Sequence, residues 1–168
     1  MELSERQEKV LNGILLGRAQ IIDSDGRPHY FLRETSDKRE YLRWLVEELD
    51  DLNPSVYDES LQTQSHEGLT KWRRRWYDGS NRKIPESLEI TPEAASLWFA
   101  RRGEWDETYS RVLIDMEGMR DSIDVATELL VDQGFHAEGA RDKILVTDAD
   151  FLDWLKIEVK GYEKKFER

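Results

Sequence analysis

Apolar positions along this chain switch repeatedly between a helical and an alternating period, and the switches mark out its elements. Val10, Leu11, Ile14 and Leu15 fall on one helical stripe, with Gly13 and Gly17 making a neighbouring face small. Ser4, followed three residues later by Gln7, predicts a capping box at the start of that helix, and the pattern ends near Arg18. Residues 19–22 and 29–32 read as strands around the turn signal Asp23-Ser24-Asp25-Gly26. Ser36 is expected to cap a second helix running to about Leu52, with Tyr41, Leu42, Leu45, Val46 and Leu49 on its apolar face. Asn53-Pro54 stops it, because the residue before proline disfavours helical backbone. Residues 56–64 read as one strand. A short helix carrying Leu69, Trp72 and Trp76 follows, then a loop at Asp78-Gly79-Ser80-Asn81.

The second half repeats this order. Thr91-Pro92-Glu93 combines a capping Thr, Pro at the first helical position and an acid in the first turn. Residues 110–115 form a strand with Val112, Leu113 and Ile114. Ser122 is expected to cap a helix ending before Gly134, with Val125, Leu129 and Leu130 buried. Residues 135–138 and 143–147 read as a hairpin, and a last helix from about Ala149 packs through Phe151, Leu152, Leu155 and Val159. The two halves, about 1–82 and 83–168, share one order of elements with no low-complexity linker between them. A pseudo-twofold single α+β domain is therefore expected.

Charge complicates that picture. The chain has 168 residues, 36% of them charged, and a net charge of −11. Nucleic-acid binders are usually basic, so an acidic chain must gather its positive charge on one face to bind phosphate. Two other readings stay open: a high-salt host, towards which 16 Arg against 9 Lys leans, or a partner that is not nucleic acid. The absence of cysteine excludes disulfides, thiolate metal sites and a Cys nucleophile. No apolar run is long enough for a membrane span and the N-terminus has no secretory pattern, so the cytoplasm is the default expectation.

Two segments carry most of the functional signal. Leu11-Asn12-Gly13-Ile14-Leu15-Leu16-Gly17-Arg18 and Ala95-Ser96-Leu97-Trp98-Phe99-Ala100-Arg101-Arg102-Gly103 are small-and-apolar helical runs that end at a charged residue. They resemble the signature helices of the LAGLIDADG homing endonucleases. Tyr41-Leu42 with Trp44-Leu45 and Glu48-Leu49 is similar to the family's second helix. Lys83-Ile84-Pro85, Thr91-Pro92-Glu93-Ala94, Trp98-Phe99 and Gly103 resemble the single-chain, two-motif subgroup, and Gly161-Tyr162 with Lys164 and Lys165 resembles its basic C-terminal end. The resemblance implies two αββαββα halves, signature helices packed at the centre, and two antiparallel sheets facing the DNA major groove. It also implies acids at the helix ends that hold divalent metal.

Here both acid positions hold arginine, Arg18 and Arg102, and Arg101 replaces a further acid. A guanidinium donates hydrogen bonds and cannot ligate Mg²⁺, so loss of the usual cleavage chemistry is expected, with no catalytic residues and no cofactor. The hairpins expected to meet DNA also carry acids near their turns, at Asp23, Asp25, Asp58, Glu59, Glu104, Asp106 and Glu107. Arg18 and Arg102 have two readings: contact with phosphates, or capping of helix C-termini, where a cation favours the dipole. Lys71, Arg73, Arg74, Arg75, Arg82 and Lys83 form the main basic cluster and complete the candidate DNA-binding set with Arg18, Arg101 and Arg102. Glu104 and Asp106 are the candidates for a relocated acid pair, the one case in which Mg²⁺ would serve. His29, His66 and His136 make no metal-spaced pair. The leading expectation is a monomeric protein that binds double-stranded DNA without cleaving it. The alternatives are an interaction module that offers an acidic saddle to a protein partner, and a nuclease with a rearranged metal site.

Overall fold

The computed structural model describes residues 2–25 and 29–167. Helix α1 (Glu5–Leu16) opens with the expected capping box: Ser4 Oγ accepts from the Gln7 N–H, and Gln7 Oε1 accepts from the Ser4 N–H. Strands β1 (Gln20–Asp23) and β2 (Tyr30–Thr35) follow, then α2 (Arg39–Glu48), β3 (Ser55–Tyr57), β4 (Ser60–Gln62) and α3 (Gly68–Trp76). A small hairpin, β5 (Tyr77–Asp78) and β6 (Asn81–Arg82), leads to the second copy of the order. That copy comprises α4 (Pro92–Arg102), β7 (Gly103–Asp106), β8 (Arg111–Asp115), α5 (Ile123–Asp132), β9 (Ala137–Ala140), β10 (Lys143–Val146) and α6 (Asp150–Trp154).

The four strands of each copy pair antiparallel in the same order, β1-β2-β4-β3 and β7-β8-β10-β9. Alternation sends Ile21, Leu32 and Leu61 of the first sheet, and Val112, Ile114, Ile144 and Val146 of the second, into one hydrophobic core with the helices. Helices α1 and α4 cross at the centre of that core. They approach closely because Gly13 has no side chain: a Cβ there would lie 2.7 Å from the Leu97 Cβ and 2.9 Å from the Ala94 carbonyl oxygen.

Several boundaries differ from expectation. Ser36 does not cap α2. Its hydroxyl accepts from the Lys38 N–H and bonds the Tyr162 hydroxyl, and the helix begins at Arg39. Helix α2 ends at Glu48, and Asp50–Leu52 form a single 3₁₀ turn closed by Asn53 in the left-handed region. The single strand expected over 56–64 is a hairpin, because Asp58 takes a positive φ of 53° and turns the chain back. Ser122 Oγ accepts from the Ile84 N–H instead of capping α5. The last helix stops at Trp154, so Leu155 and Val159 pack from irregular chain. The loop at 78–81 closes the β5–β6 hairpin. The expected turn at 23–26 runs into residue 26, which lies outside the described residues. Among the described residues no helix is long and apolar enough to cross a membrane.

Candidate functional site

The two motif helices end side by side, and their terminal arginines cross over. Arg18, just beyond α1, donates from Nε to the Arg101 carbonyl at the end of α4, at 3.3 Å. Arg102, at the end of α4, donates from Nε to the Gly17 carbonyl at the end of α1, at 2.6 Å. Gly17 stands to Arg18 as Arg101 stands to Arg102, so the exchange is reciprocal. Each guanidinium neutralises the carbonyl end of the opposite helix, where unpaired C=O groups and the helix dipole both favour a cation. These contacts cap the helix ends across the interface and not within each helix.

The two arginines are not equivalent in burial. Arg102 is 5% exposed and also donates from Nη1 to the Asp115 and Glu117 carbonyls, at 3.3 and 2.8 Å. Its pKa is lowered to about 10, first by burial and then by the neighbouring cations Arg82 and Arg18. Arg18 keeps 41% of its side chain exposed and pairs with Asp115 Oδ2 at 3.1 Å. Arg82 reaches the same point, donating to Gly17 O at 3.0 Å and to Ala19 O, and burial lowers its pKa.

Arg101 points the other way, into the first half. It donates to the Tyr162 hydroxyl and the Thr35 carbonyl, both at 2.9 Å, and lies 3.9 Å from Oε1 of Glu34, which is fully buried. Burial raises the Glu34 carboxyl above its usual range; Arg101, the Tyr41 hydroxyl at 2.8 Å and the Thr35 N–H oppose that rise. Burial opposes the charge on Arg101, but Glu34, Tyr41 and Tyr162 together raise its pKa. Tyr162 is delivered by Gly161, whose φ of +84° favours glycine and where a Cβ would lie 2.9 Å from the Lys38 Cβ.

The remaining basic candidates divide. Arg73 donates to the Ile21 carbonyl and, at 2.9 Å, to Gly79 O, with its guanidinium over the Tyr77 ring. The Ile21 N–H donates to the Tyr77 hydroxyl. Arg73 and Tyr77 thus satisfy the outward backbone groups of Ile21 in β1, an edge strand that would otherwise be open to pairing, and Arg82 covers the Gly17 and Ala19 carbonyls just before it. Trp72 and Trp76, expected in the core, are buried there. Lys71, Arg74 and Lys83 are exposed, and Arg74, Arg75 and Lys83 line a separate groove that also holds Glu86 and Asp121. The structure thus brings Arg18, Arg82 and Arg102 together, turns Arg101 to Glu34 and Tyr162, and places Arg74, Arg75 and Lys83 in a separate groove.

Two open cavities flank the crossed arginines. One, of about 390 Å³, has Arg18, Arg101, Arg102 and Lys165 beside Glu104, Leu113, Asp115 and Lys143 of the second sheet. The other, of about 350 Å³, joins Arg18 and Arg102 to Gln20 of the first sheet. The solvent faces of both sheets therefore open on the same side as the arginines. Burial lowers the Lys165 pKa, and Arg101 and Arg18 lower it further.

The donor set at the helix ends does not fit a divalent cation. Guanidiniums occupy both positions. The nearest carboxylate, Asp115, accepts from Arg18 with Oδ2 and from the Glu117 N–H with Oδ1. Asp106 is bonded to Arg111 at 3.1 Å, and Glu104 lies 3.9 Å from Lys143. Among the described residues, no group of three or more His, Asp or Glu is placed to hold a metal ion.

Sequence reasoning missed Glu34 and Asp115. Glu34 carried a signal: it shares the inward parity of Leu32 in β2, so its carboxylate needed a buried partner.

The family model described as the LAGLIDADG DNA endonuclease family matches residues 8–136. No curated protein matches the chain. Among solved structures, the homing endonuclease I-WcaI bound to its DNA recognition sequence is similar in fold. Its TM-score is 0.78 at 17% identity, covering 97% of this chain and 88% of that one.

Proposed function

The chain belongs to the LAGLIDADG DNA endonuclease family, and from that premise we propose that it binds duplex DNA without cutting it. The observation that carries this reading is the reciprocal arginine pair. Where the family chemistry calls for carboxylates to hold metal, Arg18 and Arg102 present donors that repel a cation and attract phosphate. In a chain of net charge −11, Arg18 and Arg102 line two adjoining cavities, joined by Lys165 in one and by Arg82 in the other. Arg18 is exposed enough to exchange its Asp115 contact for a phosphate oxygen. Arg102 is held by three carbonyls and acts as a fixed positive charge behind it. The exposed Lys71 and Arg74 add charge at the flank. The protein works as a monomeric, pseudo-twofold domain with halves at about 1–82 and 83–168, because one chain supplies both motifs.

The test is an anisotropy titration of a labelled random-sequence duplex across a salt series. Affinity falls linearly with salt on logarithmic axes, and Arg18→Ala reduces the slope by about one phosphate contact. Absence of salt-sensitive binding contradicts the reading.

A second reading, a module for a protein partner, draws on the second sheet. Its solvent face carries Glu104, Asp106 and Glu138 around the half-buried Leu113 and Leu145. That reading predicts a chain that ignores duplex DNA at every salt concentration.

A further inference from the structure

The two sheets share a topology, but their solvent faces differ residue by residue. In the first sheet the register places Gln20, Arg33, Gln62 and Ser55 side by side in one row across all four strands. The pseudo-symmetric row of the second sheet is Glu104, Leu113, Leu145 and Glu138. Gln20 and Glu104 each follow their motif arginine by two residues, which fixes the correspondence. Arg33 donates to the Gln20 Oε1 at 3.4 Å, so the first row begins as a linked polar unit.

Neighbouring rows strengthen the contrast. On the first sheet they are Ile22 with Phe31, and Thr35 with Ser60 and Tyr57. Among the described residues, no strand position on that face is a carboxylate. The second face carries Asp106 and Asp115 besides its two glutamates. Its bases lie against these acids: Arg111 pairs with Asp106, and Lys143 lies near Glu104.

We infer that DNA bases are read by the first sheet alone, so the protein recognises one half-site of a duplex and leaves the other half unread. This rests on the duplex-binding reading above. An antiparallel ribbon fits the major groove, where Arg pairs bidentately with guanine and Gln with adenine. The Gln-Arg-Gln-Ser row supplies those groups at the spacing of adjacent strands. The Glu-Leu-Leu-Glu row supplies no donor and faces phosphates with like charge. The central arginines anchor the backbone between them.

The experiment is selection from a random-core duplex pool by the full chain, followed by sequencing, with wild type and Arg33→Ala, and Gln62→Ala as a second variant. Wild type is expected to enrich one contiguous half-site of about one helical turn. Arg33→Ala loses roughly five- to hundredfold discrimination at one base position while the melting temperature stays unchanged, and Gln62→Ala relaxes a neighbouring position. Two equally informative half-sites, or preferences untouched by both variants, overturn the half-site inference and leave duplex binding standing. Retention without sequence enrichment also overturns it. Failure to retain any duplex overturns it together with the reading it rests on.

Discussion

Position for position, the two halves solve the same backbone with different chemistry. At the inward site of the second strand, the first half has Glu34 and the second has Ile114, both fully buried. The outward neighbours are Arg33 and Leu113. At the helix ends, Arg101 faces Glu34, whereas its counterpart Gly17 offers only a carbonyl, which Arg102 and Arg82 occupy. The first half is thus organised by a buried ionic network that reaches the C-terminal Tyr162, and the second by aliphatic packing. A repeated fold constrains hydrophobic periodicity and strand register. It leaves the polar positions free to diverge.

The contrast is most easily broken at Arg101. Arg101→Ala leaves Glu34 buried without its cation and is expected to cost about 3 kcal/mol or more in urea unfolding. Adding Glu34→Leu, which makes the first half resemble the second, is expected to recover most of that loss. If the double variant is no more stable than the single, the ionic network does not distinguish the halves.

The crossed arginines come next. Arg102→Ala strands three buried carbonyl contacts and is expected to cost about 2–3 kcal/mol. Arg18→Ala, at an exposed ion pair, is expected to cost under about 1 kcal/mol. Equal effects would contradict the asymmetric burial.

A pH series sharpens the same contrast. The folded chain holds the Glu34 carboxyl above its ordinary value, so the fold favours its protonated form. That contribution is fully present below the unfolded pKa of about 4.3 and is lost as pH rises through the folded value. Glu34→Gln should flatten this part of the stability profile, and an unchanged profile would show that Glu34 does not titrate in this window. The smallest effect is expected on the second sheet, where Glu104→Gln with Glu138→Gln should raise non-specific duplex affinity on the order of a few-fold at low salt.

Much of this architecture was legible in the sequence because periodicity and caps act locally. The Ser4–Gln7 box, the Thr91-Pro92 start and the buried Trp72 and Trp76 stand as expected. Some errors were local, as at Asp58, whose positive φ splits the expected strand, and others fell where a side chain serves a distant partner. Ser36 bonds Tyr162, and Ser122 accepts from Ile84, so neither caps its helix. The identity of the helix-end residues was plain, but their crossing was not, because it depends on how closely α1 and α4 approach at Gly13. Arg73 and Arg82 looked free for DNA by charge. Their engagement with the carbonyls of Ile21 and Ala19 follows from tertiary placement that no local pattern encodes.

The most direct test of the central claim is a combined retention and cleavage assay. It uses a random-core duplex pool and supercoiled plasmid, with Mg²⁺ across a salt series. The account predicts salt-sensitive retention of duplex with the plasmid left intact. Metal-dependent nicking that disappears in Glu104→Ala or Asp106→Ala would contradict it and reveal a working site on the second sheet.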